Sequence, residues 1–216
     1  ITTGTFKGLT EKFGCPIDYM TQPIYHDIVK GNPYVNQVLD WDKVLASRYK
    51  YVMYPHRRIR NGNWGTNDVH LYDLYAQLCG VEFDKMYMPV ARPERFKEIE
   101  DSPYITVHNK GGHFLRYYPY IGDVVKLLPK DFGFTFVQIG DKEDPKIEGV
   151  VDFRGLSFRE SAYVIQKGFY HVGVDSFPSH CALAVGVTQI CLFGSGARRV
   201  VRPKGKTVDI EPDYVK

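Results

Sequence analysis

The chain has 216 residues, of which 44% are hydrophobic, 14% aromatic and 25% charged, with a formal net charge of +3. That is ordinary globular composition, and so small a positive excess does not by itself point to nucleic acid or to an anionic membrane. No apolar run approaches the roughly 18 residues of a membrane span, and no signal peptide is read at the start. The length allows one large domain or two small ones, and 16 Tyr and 13 Phe supply enough bulky apolar material for real cores. The four cysteines, Cys15, Cys79, Cys181 and Cys191, lie far apart and form no CxxC pair. They read as reduced thiols of a cytosolic protein, with the last three in apolar or helix-like surroundings. The chain opens on Ile1 without a Met, so it is expected to be a piece of a longer protein.

In chain order, residues 5–13 are helix-like, 16–21 strand-like and 24–30 helix-like. Residues 35–41 and 49–54 read as strands, and 68–79 as a strong helix closed by Gly80. The polar stretch 91–103 reads as a linker, giving domains 1–98 and 99–216. Beyond it, residues 104–108 predict a strand, 119–128 a helix opened by Pro119, and 134–140 a strand closing in Gly140. A short run at 149–153 follows, then a helix over 157–167 with Ser157 as N-cap. Residues 170–175 predict a strand, 178–185 a small-residue helix and 189–194 a last strand. Strands alternating with helices of about ten residues imply an α/β fold built on parallel, doubly wound sheets. The first half begins with a helix where a Rossmann-like lobe should begin with a strand, so that lobe is expected to lack its first strand.

In an open parallel sheet, ligands bind beyond the carboxyl ends of the strands, where helix N-termini favour phosphate. The segment 172–194 suits this geometry. An apolar strand ends in Asp175, Ser176 and Ser179 are small polar cap residues, and Pro178 suits a first helical turn. On spacing alone, Asp175 and Ser176 could equally do no more than cap a helix.

The order of residues here resembles the donor-binding signature of glycosyltransferase family 9, the ADP-heptose:lipopolysaccharide heptosyltransferases. In that family a strand ends in Asp-Ser/Thr-Gly, a His follows, then an Ala-rich helix, Gly-Val, and a strand ending Phe-Gly. Asp175, Ser176, His180, Ala182, Ala184, Gly186, Val187, Phe193 and Gly194 fall in register with it. Upstream, residues 155–160 resemble the family's Leu-Ser-Leu-x-Glu helix start. Arg116 and Pro119 resemble its Lys/Arg-x-Trp-Pro element, and Gly140 with Glu143 its Gly-to-Glu loop.

The resemblance implies a GT-B fold, two Rossmann-like lobes with a cleft between them, and an inverting, metal-independent glycosyltransferase. Its co-substrate would be a nucleotide-diphospho-sugar, ADP-sugar favoured and heptose a candidate, with no other cofactor. Amides around Ser176 to Ser179 would hold the diphosphate, and Asp175 would contact the sugar or orient that loop. Arg116 would neutralise charge growing on the leaving nucleotide, and Glu143 would meet the nucleoside end. The acceptor would be a glycan or lipopolysaccharide core, in a cytoplasmic or membrane-peripheral setting.

Two departures stand out. Phe177 occupies the family's Gly position, where it would reshape the backbone's approach to phosphate or wall the pocket. The family's general base is an Asp just before a Thr-rich helix start, and Ile1, Thr2 and Thr3 match the residues after it, so the base is expected upstream of residue 1. A catalytically inactive sugar-nucleotide-binding or assembly protein of the same fold is therefore the alternative. An epimerase of related fold is disfavoured, because no acid/base carboxylate cluster is evident.

Of the remaining polar residues, Lys110 is a second phosphate candidate beside Gly111 and Gly112, and His180 reads equally as a structural histidine or a ligand contact. His108 and His113 are too isolated for a metal site. His56, Arg57, Arg58 and Arg60, followed by Trp64, could grip an anionic acceptor, a nucleic-acid strand included. The tail cations Arg198, Arg199, Arg202, Lys204 and Lys206 read by default as solvated.

Overall fold

The computed structural model describes residues 1–55, 69–129, 131–194 and 198–211. The chain divides into two compact units, Ile1–Pro89 and Val90–Lys216.

The first unit opens with a 3-10 turn, Thr2–Thr5, that runs into helix Phe6–Phe13. That helix stops where Gly14 adopts φ 69°, a left-handed conformation glycine enters without strain. Strands β1 (Ile17–Thr21) and β2 (Val35–Asp40) pair in parallel, from Ile17 opposite Val35 to Thr21 opposite Asp40. The crossover between them holds a 3-10 turn, Pro23–Tyr25, and one helical turn, His26–Val29. Helix Leu71–Cys79 begins at His70, whose ring accepts the Tyr72 amide, and ends on Gly80 at φ 63°. Lys12 donates to the Cys79 and Gly80 carbonyls there, placing a cation on the negative helix end. Tyr72, 1% exposed, stacks on Phe83 with ring centres 4.7 Å apart.

Residues 49–54, expected as a strand, form none. Their aromatic side chains are drawn to different partners: Tyr49 donates to the Asp18 carboxylate, Tyr51 packs on Phe13 and Tyr54 on Trp41. Residues 56–60 and Trp64, read as an acceptor-gripping run, lie outside the described residues, as does the expected helix start at Asp68.

In the second unit the segment read as a linker packs inward. Glu94–Glu98 forms a 3-10 turn that buries Phe96 edge-on against Tyr104 and Tyr163, and the Ala91 amide donates to the Arg159 carbonyl. Six strands follow: β3 (Tyr104–His108), β4 (Thr135–Gln138), β5 (Val151–Asp152), β6 (Tyr170–Val174), β7 (Thr188–Leu192) and β8 (Thr207–Ile210). All pairings are parallel, in the order β5-β4-β3-β6-β7-β8. The central β3 is buried along its whole length, as a parallel strand covered on both faces must be. Val107, Ile121 and Ile147 anchor the core on one face, with Val125, Phe136 and Val172 packed around them. On the other face, helices Phe158–Lys167 and Phe177–Ala184 pack on each other, and the second also lies on β6 and β7. Ser157 and Glu160 close a reciprocal capping box at the start of the first helix, as expected of that serine.

Strand β8 was not anticipated. Its residues follow a cationic stretch read as solvated, yet Arg198 and Arg202 pair with Asp209 on that strand, and Arg198 also with Glu211. The side chain of Arg199 lies outside the described ones.

Candidate functional site

The chain leaves β3 in one direction to build β4 and β5, then returns to the other side of β3 for β6, β7 and β8. The β3/β6 boundary is therefore the topological switch point, beyond whose carboxyl ends a crevice opens in sheets of this kind. His108 and Gly173 stand opposite each other there, and Asp175 follows directly on β6.

Arg116 reaches this end from a tight hairpin. The Gly111 amide donates to the Arg116 carbonyl at 2.7 Å, and Lys110 forms an isolated antiparallel bridge with Tyr117. A Cβ on Gly111 would stand 3.0 Å from the Arg116 Cβ and 3.2 Å from the Asp175 carbonyl oxygen. A side chain at this position would crowd the hairpin against the end of β6, which glycine avoids. Arg116 Nη1 lies 3.4 Å from Asp175 Oδ2, with the guanidinium side chain 39% exposed and the carboxylate 5%. Burial pushes the Asp175 carboxyl above its ordinary value, and Arg116 opposes that shift. His180, half-buried on the following helix, has Nε2 3.8 Å from Asp175 Oδ1.

Ser176 is the N-cap of helix Phe177–Ala184 by position only, for its side chain makes no capping bond. Its Oγ donates to the Val174 carbonyl at 3.2 Å and lies 3.0 Å from His108 Nδ1. Ser179, fully buried, also donates to the Val174 carbonyl, at 2.9 Å. Both serines read as caps thus turn back toward β6, and the cap expectation is corrected for each. Phe177 sets its ring edge-on against Phe158, 4.8 Å between centres.

Asp144 completes the cluster. It is 8% exposed and carries the other ring nitrogen of His108 at 3.6 Å and Lys110 Nζ at 3.5 Å. Its Oδ2 accepts the Asp141 amide at 2.8 Å. Burial alone would raise this carboxyl, but His108, the Asp141 amide and Lys110 together hold it below its ordinary value. Gly140, at φ 140°, leaves room for it: a Cβ there would lie 2.5 Å from Asp144 Oδ2. The loop after Gly140 is pinned by Gln138 and Asn109, which both donate to the Pro145 carbonyl, and by Arg154, which donates to the Asp144 carbonyl.

The structure therefore gathers Lys110, Arg116, Asp175, Ser176 and His180 around the β3/β6 switch point, with Ser179 buried beneath the turn. Glu143 is exposed, its amide donating to Asp141, and the neighbouring Asp144 is the carboxylate turned inward. Sequence reasoning missed Asp144 because it sits in a charged loop whose composition reads as solvated; the signal was Gly140 four residues before it. Among the described residues no group of three or more His, Cys, Asp or Glu is arranged to hold a metal ion. A groove of about 640 Å³, lined by Lys126, Phe132, Phe134, Phe136 and Val151, opens at the start of β4 and β5, away from these residues.

Among solved structures the chain is similar to a glycosyltransferase of family 9 from Veillonella parvula, with a TM-score of 0.73, 13% identity, and coverage of 97% of this chain and 82% of that one. It is similar to the E. coli ADP-heptose lipopolysaccharide heptosyltransferase II, with TM-score 0.69, 16% identity, and 97% and 85% covered. It is also similar to the dodecameric iron-containing heptosyltransferase TibC of enterotoxigenic E. coli, solved with ADP-D-beta-D-heptose. There the TM-score is 0.70 and the identity 13%, with 94% of this chain and 57% of that one covered. No protein-family model matches the chain, and no curated protein sequence does. The chain thus has the GT-B-like α/β fold of these family 9 structures.

Proposed function

We propose that the chain is an inverting glycosyltransferase, independent of metal, that takes a sugar from a nucleotide-diphospho-sugar and transfers it to a glycan acceptor. The observation that carries this reading is the meeting of Arg116 and Asp175 at the switch point, beside a helix N-terminus that its own serine does not cap. The Phe177 amide and the helix dipole suit a diphosphate. The half-exposed Arg116 supplies the fixed cation that charge developing on the leaving nucleotide requires. Asp175, buried and adjacent, would orient that cation and meet the sugar. An ADP-sugar is the favoured donor because the solved structures of like fold include one with ADP-heptose, and a lipopolysaccharide core in a cytoplasmic setting is the acceptor the same analogy suggests. No described helix is long and apolar enough to cross a membrane.

The test is calorimetric titration with ADP, UDP, GDP and CMP in the presence of a chelator. ADP is expected to bind tightest, and Arg116→Ala to weaken it at least tenfold. If no nucleotide binds, or if Arg116→Ala matches the parent, the site assignment falls. Binding of ADP with no turnover of any ADP-sugar would favour the inactive, sugar-nucleotide-binding reading instead.

A further inference from the structure

Helix Ile121–Leu127, on the connection from β3 to β4, is apolar on both of its faces. The inner face is accounted for, since Ile121 and Val125 belong to the core that also holds Val107 and Ile147. The outer face is not. At about 100° per residue, Tyr120, Val124 and Leu127 fall along one line of the helix surface. All three are exposed, Leu127 to 83%. The turn that leads toward the helix is open in the same way, with Phe114 77% exposed and Leu115 and Tyr117 also exposed. A helix apolar all round is ordinarily buried, and clustered exposed apolar residues mark a docking surface.

The charge around this surface selects its occupant. From Lys110 to Leu127 the sequence holds three cations, Lys110, Arg116 and Lys126, against one carboxylate, Asp123. Lys110 and Arg116 face the buried carboxylates of Asp144 and Asp175. Lys126, next to Leu127, lies 2.7 Å from Glu148, whose carboxylate is even more exposed than the lysine. A pair so solvated is weak and leaves Lys126 open to another anion. Tyrosine, projecting leucine and a flanking lysine on one short helix are the composition of a segment that lies in the headgroup layer of a membrane. We propose that the face bearing Tyr120, Val124 and Leu127 docks on an anionic lipid bilayer. Val124 and Leu127 enter the acyl boundary, the Tyr120 ring stays at headgroup level, and Lys126 meets lipid phosphate. Arg116 stands four residues before Tyr120, so docking brings its turn to the membrane surface. The inference goes beyond the donor reading and does not require it; the two together describe an enzyme whose acceptor is anchored in lipid.

The test is flotation of the 216-residue chain with vesicles of phosphatidylcholine, with and without phosphatidylglycerol. The parent is expected to float with both and more strongly with the anionic vesicles. Leu127→Ser should lower partitioning at least about tenfold, the effect of withholding one leucine from an apolar phase. Leu127→Ile, which keeps the apolar surface, should float as the parent does. Lys126→Gln should weaken binding to the anionic vesicles about fivefold and leave binding to phosphatidylcholine unchanged. A parent that floats with neither composition overturns the proposal, and so does a Leu127→Ser variant that floats like the parent. If the parent instead sediments as a dimer that Leu127→Ser dissociates, and vesicles do not capture it, the face belongs to a second copy and the lipid assignment falls. Calorimetry with ADP in the absence of vesicles reads the donor site separately. Leu127→Ser should match the parent there, and a parent that floats but binds no ADP would remove the donor reading while leaving the membrane surface standing.

Discussion

Arg116 and Asp175 meet at 3.4 Å although they belong to different strand connections, one leaving β3 and the other leaving β6. The pair is asymmetric: the carboxylate is buried, and the guanidinium keeps more than a third of its side-chain surface open. Such a cation can face a ligand while its counter-ion fixes it from behind. Arg116→Ala is expected to lower donor turnover by about two to three orders of magnitude, the effect of removing one fixed electrostatic stabiliser. Arg116 also opposes the rise in the Asp175 pKa, so its loss should raise that pKa further. The carboxyl region of the pH–rate profile would then move to higher pH, and Arg116→Lys should reverse part of that movement. An unshifted profile with parental turnover would remove Arg116 from the chemistry.

The two glycines of the hairpin provide a matched pair. A methyl on Gly111 would press on both the Arg116 Cβ and the Asp175 carbonyl, whereas at Gly112 it would meet open space. Gly111→Ala should therefore destabilise by about 1–3 kcal/mol, as overpacking does, and displace Arg116 enough to weaken ADP binding. Gly112→Ala should leave both quantities near parental values. Urea melts and calorimetry on the two variants would check this, and equal effects would show that the hairpin is not held by close approach at Gly111.

Local signals in the sequence specified much of the second unit. Residues 104–108 form a strand over the expected range, because a run buried on both faces needs only continuous apolar and β-branched residues to be recognised. Ser157 caps its helix because the serine and the glutamate three residues on are both in place within a few ångströms of each other. What local pattern could not carry was partner choice. Ser176 has the same chemistry as Ser157, and only the fold brings a histidine from 68 residues away to take its hydroxyl. Asp144 read as solvated for the same reason, since His108 and Lys110 reach it through β3. Residues 49–54 read locally as a strand, yet among the described residues they pair with none, and Tyr51 and Tyr54 pack on Phe13 and Trp41 instead.

The Ser157 cap makes its own prediction. The Glu160 amide donates to Ser157 Oγ, and the Glu160 carboxylate accepts the Ser157 amide in return. Ser157→Ala removes the first bond and is expected to cost about 1 kcal/mol, read as a lower urea midpoint at unchanged m-value. Ser157→Asp, which can also cap, should recover most of it. A loss well above about 2 kcal/mol would mean the serine does more than cap.

His171 gives the sheet a built-in sensitivity to acid. It sits on β6 with no exposure, its Nδ1 is 3.0 Å from Thr106 Oγ1 on β3, and its Nε2 has no hydrogen-bond partner among the described residues. Burial, and secondarily the nearby His108, lower its pKa from 6.5 to about 3. The folded protein therefore keeps this ring neutral, while the unfolded chain takes up a proton once the pH falls below about 6.5. Its contribution to stability is complete above that value and is lost progressively as the pH falls toward about 3, at roughly 1.4 kcal/mol per pH unit. Between about pH 7.5 and pH 5.0 the parent should lose roughly 2 kcal/mol from this one group. His171→Leu has no proton to bind in either state, so its urea midpoint should fall less over the same interval. If the parent and the variant lose stability equally, the acid sensitivity belongs to other histidines, and His171 is not held neutral by the packing around it.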